Sequence, residues 1–76
     1  MDMTFEELLM LTEARDAARS GRARRIRELA GITQAELGTA VGVDGSTIHR
    51  WEHGTRRPSG APALAYARVL QTLSKT

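Results

Sequence analysis

The 76-residue chain carries eleven Lys and Arg against nine Asp and Glu, a net charge of +2, and no cysteine. It reads as one small domain, too short for a substrate cleft enclosed by two lobes, with neither a disulfide nor a cysteine metal site to staple it. No apolar run approaches about 18 residues, and the opening residues carry Asp2, Glu6 and Glu7 where a leader would carry bases, so neither a membrane span nor a signal peptide is expected.

The first predicted element is a helix from Thr4 to about Ala18. Thr4-Phe5-Glu6-Glu7 is a capping box, in which a hydroxyl and a carboxylate satisfy each other's backbone N–H groups. Phe5, Leu8, Leu9 and Leu11 form the apolar stripe of this helix, with Met10 to one side. Ser20-Gly21 breaks or bends the chain. A second helix is predicted from Arg22 to Ala30, with Ala23, Ile26, Leu29 and Ala30 inward and Gly31 as its cap. Residues 1–20 thus read as a helical extension, and 21–76 as the domain it precedes.

Thr33 to Pro58 is the most informative stretch. Thr33-Gln34-Ala35-Glu36 is a second capping box, and Leu37, Ala40 and Val41 fall on one face of a helix over about 34–41. Gly42 suits the left-handed end of that helix, and Val43 plugs the core after the turn. Asp44 is a good N-cap for a further helix over about 45–53, whose inner face carries Ile48 and Trp51 and which Gly54 closes. Its outer face carries Gly45, Ser46, His49 and Arg50, small or polar residues able to approach a surface closely. The loop 54–60 is turn-rich. Ser59 and Pro62 then mark the start of a last helix to about Ser74. In that helix Ala63, Ala67 and Leu70 suit a core, while Val69 and Leu73 face elsewhere. The expected fold is all-α with five helices.

Charge is distributed unevenly. Residues 1–13 hold four acids and no base, whereas the remainder holds eleven bases and five acids. A basic body with an acidic extension is the footprint of a nucleic-acid binder. Ten of the eleven bases are Arg; that bias suits phosphate recognition, and a GC-rich genome produces it equally well.

From Arg22 to Leu73, about two thirds of the chain, the sequence resembles the phage repressor and Cro (Xre-like) family of helix-turn-helix DNA-binding domains. The resemblance rests on Ile26-Arg27, Gly31-Ile32-Thr33-Gln34, Leu37, Val41-Gly42-Val43, Ser46-Thr47-Ile48, Trp51-Glu52-His53-Gly54 and Arg56-Arg57-Pro58. It implies a lambda-repressor-like domain with an extra N-terminal helix, and it implies a sequence-specific double-stranded DNA-binding regulator of a phage or bacterium, working in the cytoplasm. On that reading the helix at 45–53 enters the major groove, so Gly45, Ser46, His49 and Arg50 meet base edges. The guanidinium fork of Arg50 matches the O6 and N7 of guanine. Gln34, Thr47, Thr55, Arg56 and Arg57 are implied phosphate contacts. Arg22, Arg24 and Arg25 open the second helix; each alone reads as solvated, and one of the three is a further candidate for phosphate contact. Arg27 and Glu52 are implied to form a buried, structural ion pair.

The resemblance also implies a homodimer on a palindromic operator. It does not extend to the N-terminal helix: the apolar residues Phe5, Leu8, Leu9, Leu11, Val69 and Leu73 either cover one another within one chain or form the dimer or partner surface, and the second is favoured because exposed apolar patches mark partners. Two other functions fit the residues: an antitoxin that autoregulates its operon and holds a toxin on its first helix, or a protein-interaction module whose motif no longer binds DNA. His49 and His53 have a zinc-compatible spacing, but with no further His or Cys no metal site is expected. Neither a catalytic Ser-His-Asp or Cys-His grouping nor a phosphate-cradling glycine loop appears, so neither an enzyme nor a cofactor is expected.

Overall fold

The computed structural model describes residues 2–75; the outermost ends of the two expected segments, residues 1 and 76, lie outside them. Five helices follow one another: α1 (Phe5–Ser20), α2 (Arg22–Leu29), α3 (Gln34–Val41), α4 (Gly45–Glu52) and α5 (Gly60–Ser74). Among the described residues there is no strand. Both capping boxes form. The Glu7 N–H donates to Thr4 Oγ1 at 3.0 Å and the Thr4 N–H to Glu7 Oε1 at 2.9 Å. Thr33 and Glu36 repeat the pattern at the start of α3.

The chain reverses between α3 and α4 at Gly42, where φ is +90°. The N–H groups of Gly42 and Val43 both donate to the Gly38 carbonyl at 2.8 Å. Gly38 is buried, and a Cβ there would lie 2.6 Å from the Val43 carbonyl oxygen. The tight turn therefore needs a residue with no side chain at position 38. Asp44 caps α4, accepting the Thr47 N–H at 2.8 Å. Ser59 occupies the N-cap position of α5 without a side-chain bond.

The core gathers Ala14, Ala17 and Ala18 of α1, Ala23 of α2, Leu37 and Val41 of α3, Ile48 and Trp51 of α4, and Tyr66, Ala67 and Leu70 of α5. Tyr66 is its largest fully buried side chain. Its ring tilts against Trp51, with centroids 4.8 Å apart. The most extensive helix pairings are α3 with α4 and α1 with α5, so the first helix is packed into the same core as the helix pair.

Several expectations about faces are corrected. In α1 the inward face is Leu11, Ala14, Ala17 and Ala18, and Met10 packs against the core beside them. At 3.6 residues per turn Phe5 and Leu9 fall on the opposite side, and Phe5, Leu8 and Leu9 are 73%, 51% and 51% exposed. Leu11 therefore leaves the candidate partner surface: it is buried within its own chain. Val69 packs against the core and Leu73 is half-buried. In α2, Ala23 and Arg27 point inward, while Leu29 lies most of a half-turn away and is 78% exposed. Ala30 is exposed beyond the end of the helix. In α3 the buried face is Leu37, Gly38 and Val41, and Ala40 is exposed, because the helix meets α4 through the flat Gly38 side.

Candidate nucleic-acid interface

The α4 helix turns Ile48, Trp51 and Glu52 inward, and this orients the residues between them outward. Ser46, His49 and Arg50 are exposed along its outer face, while Gly45 and Thr47 are half-buried at its first turn. Thr55, Arg56 and Arg57 are exposed on the loop that follows. That loop is pinned at one end by the N–H groups of Thr55 and Arg56, which donate to the Arg50 carbonyl at 3.0 and 3.3 Å. At its other end stands fully buried Pro58.

The first turn of α4 is organised around Asp44. One of its carboxylate oxygens accepts the Thr47 hydroxyl at 2.7 Å, the Thr47 N–H and the Ser46 hydroxyl at 2.9 Å. The Thr47 hydroxyl, then the Thr47 N–H, then the Ser46 hydroxyl hold the Asp44 carboxyl down at about 2, with a smaller contribution from Arg50. The hydroxyls of Ser46 and Thr47 are thus fixed towards Asp44, which leaves His49 and Arg50 as the longer side chains projecting from this helix. A Cβ at Gly45 would stand 3.2 Å from the Cα and backbone nitrogen of Ala35, so the missing side chain serves the approach of α4 to α3. The rings of His49 and His53 stack with centroids 3.9 Å apart, and His53 Nδ1 lies 2.9 Å from the His49 carbonyl oxygen. Among the described residues no group of three or more His, Cys, Asp or Glu is placed to hold a metal ion.

Behind this face, Arg27 and Glu52 meet in a forked ion pair. Arg27 Nε donates to Glu52 Oε2 at 2.6 Å and Nη2 to Oε1 at 3.0 Å, with side-chain exposures of 10% and 0%. Arg27 Nη1 also donates to the Ile32 carbonyl at 2.8 Å. The Gln34 amide donates to Glu52 Oε1 at 3.0 Å. Burial alone would push the Glu52 carboxyl up. The hydrogen bonds from Arg27, then Gln34, outweigh that and hold it below the usual carboxylate range. The hydrogen bond to Glu52 likewise raises the Arg27 guanidinium. One network thereby joins α2, the start of α3 and the end of α4, and fixes the half-buried side chain of Gln34 at the edge of the outer face.

Sequence reasoning passed over Arg15, Gly38 and Tyr66. Arg15 reaches from α1 to the loop behind α4, its Nε donating to the Pro58 carbonyl at 2.7 Å. The Tyr66 hydroxyl is buried with no hydrogen-bond partner among the described residues, and burial pushes it well above the usual phenol range. Nothing local in the sequence marks Arg15, which stands in an alanine-rich helix among many other arginines. The small and bulky partners at Gly38 and Tyr66 are defined only by the packing of distant helices.

A family model described as helix-turn-helix matches residues 24–75. No curated protein and no solved structure matches the chain.

Proposed function

Because the chain belongs to the Cro/Xre-type helix-turn-helix family, whose members are DNA-binding regulators, we propose that it is a phage or bacterial repressor, acting in the cytoplasm on a palindromic operator. The observation that carries this reading is the exposed row Ser46, His49 and Arg50 on α4, flanked by Arg56 and Arg57 and backed by the buried Arg27–Glu52 pair. α4 enters the major groove, and Arg50 reads a base. Gly45 and Ser46, at the helix start, approach the base edges closely. Gln34, Thr55, Arg56 and Arg57 grip phosphates on either side; Thr47, expected among them, has both its N–H and its hydroxyl committed to Asp44 and holds the helix start instead.

The protein works as a homodimer. Phe5, Leu8 and Leu9, exposed together on α1, supply the apolar contact, whereas half-buried Leu73 lies with Ile26 and Leu29 of α2. The same exposed face supports a second reading, an antitoxin that binds its toxin through α1 and its own operator through α4. No helix among the described residues is long and apolar enough to cross a membrane.

The test is selection of bound duplexes from a random library by the full chain, followed by titration of the selected and a scrambled site across salt concentrations. The expected result is a two-fold symmetric site bound far more tightly than the scrambled one, with affinity falling steeply as salt rises. Binding indifferent to both sequence and salt would sink the repressor reading and favour a protein-interaction module.

A further inference from the structure

We propose that α1 completes a phosphate clamp with the loop behind α4, in which Arg15 and Arg57, flanked by Arg19 and Arg56, close on one oxyanion, on the operator a backbone phosphate beside the bases that α4 reads. This rests on the DNA-binding reading and adds to it a contact from a helix that precedes the matched residues 24–75.

The site is a hollow of about 160 Å³ whose wall carries Arg15, Arg19, Arg56 and Arg57, with Trp51 and Gly54 beside them. No acidic residue lines it. Arg19 pairs with Asp16 at 2.8 Å on the outer rim, but among the described residues no carboxylate pairs with Arg15, Arg56 or Arg57. The hydrogen bond from Arg15 Nε to the Pro58 carbonyl fixes the guanidinium against the loop, next in sequence to Arg57. Desolvation, then repulsion from Arg57, lowers the Arg15 guanidinium from its ordinary value. Glu13 and Asp16 line an adjoining hollow with Arg15, Arg19 and Arg57, and Asp16 pairs with Arg19 and Arg22; like charges held together without a carboxylate partner of their own are relieved by a bound anion. The end of α4 presents the weakly negative pole of its dipole here, and four guanidinium groups outweigh it. Arginine forks suit the tetrahedral oxygens of phosphate, and Trp51 places the occupancy of the hollow in contact with the base-reading helix.

Two kinds of source carry this oxyanion, a DNA backbone phosphate and free inorganic phosphate, and the experiment separates them. The full chain, R15Q and R15K are titrated with the selected duplex over a series of salt concentrations, and melting temperatures are recorded. The expected result is that R15Q flattens the plot of log affinity against log salt by about 0.9, the loss of one phosphate contact, while R15K, which keeps the charge, retains the parental slope. If Arg15 only braces Pro58, the two variants change alike in melting temperature and neither changes the slope, which overturns the proposal. In parallel, Trp51, the only tryptophan, reports inorganic phosphate by fluorescence against chloride at equal ionic strength. A response abolished in R15Q, together with a parental DNA slope, means that the hollow takes free anions only and also overturns the clamp. A parent chain with no salt-dependent DNA binding sinks the DNA reading itself; a parental slope in R15Q alone sinks only the role of α1.

Discussion

Arg50 and Arg57 carry the same charge on different supports, and this separates what each is expected to do. Arg50 stands on the outer face of α4, whose inner face is locked by Ile48 and Trp51, so its fork is presented at a fixed register. Arg57 stands on the loop beside Pro58. Arg50→Ala is expected to cost about 1–3 kcal/mol on the selected operator and to relax preference at one base position. Arg57→Ala is expected to weaken all sequences alike and to lower the salt slope by about one. Equal losses on specific and random DNA for Arg50→Ala would remove its base-reading role. The acids behave differently again. Asp44 and Glu52 both ionise more readily in the folded chain than in an unfolded one, where their values lie near 3.9 and 4.3. Depressed folded values mean that the stability these groups lend is complete above about pH 5 and drains as pH falls through them, towards about 2 for Asp44. Melting temperature is therefore expected to be flat from pH 7 to about 5 and to fall steeply below about 4. Asp44→Asn keeps a good cap but cannot titrate, so it should flatten part of that fall; an unchanged acid limb would show that Asp44 does not contribute.

At the scale of elements, the packing of α4 on α2 and α3 depends on two features of different kinds, a buried ion pair to α2 and an absent side chain on α3. Glu52→Ala leaves the Arg27 guanidinium buried without its partner and removes the acceptor for Gln34, so a loss of about 3–5 kcal/mol is expected. A small domain's whole stability is of order 5 kcal/mol. Arg27→Met combined with Glu52→Leu should recover much of it, as read by thermal melting, because no charge remains unpaired. Gly38→Ala should prevent the turn from closing, since the new methyl group meets backbone at 2.6 Å, whereas Gly45→Ala, at 3.2 Å from Ala35, asks the helices to part by only a few tenths of an ångström. A Gly38→Ala chain that melts like its parent would mean that the turn relaxes freely. Element starts and stops were legible in the sequence because caps are local: Thr4 with Glu7, Thr33 with Glu36, Asp44 and Gly42 each act within four residues. The faces were less legible. Leucine dominates any apolar count, yet α1 packs through Ala14, Ala17 and Ala18, whose small side chains admit close approach, and leaves Leu8 and Leu9 outside. The outer face of α4 was readable from Ile48 and Trp51, while Arg15 was not, because its partner Pro58 lies 43 residues away.

Over the whole molecule, α1 separates two chemistries along one rod. Its first turns carry Glu6 and Glu7 beside exposed Phe5, Leu8 and Leu9, and its later turns carry Arg15 and Arg19 towards the loop behind α4. An acidic, apolar end suits a protein contact held off the phosphates, which its carboxylates would repel. The longest extent of the chain is 34 Å, about the distance between successive major grooves on one side of a duplex. On the proposed dimer reading each protomer presents one α4 to one half-site, and the palindrome takes two protomers. The test must leave the core intact: deleting α1 would strip Leu11, Ala14, Ala17 and Ala18 from the packing and would probe folding instead of association. Leu8→Asp with Leu9→Asp changes only exposed positions. The double variant is expected to melt near its parent, to sediment as a monomer where the parent is a dimer, and to bind a single half-site weakly. If it remains a dimer, the interface lies elsewhere. If the parent itself is a monomer at tens of micromolar, the exposed face of α1 is a docking site for a different protein, as the antitoxin reading requires.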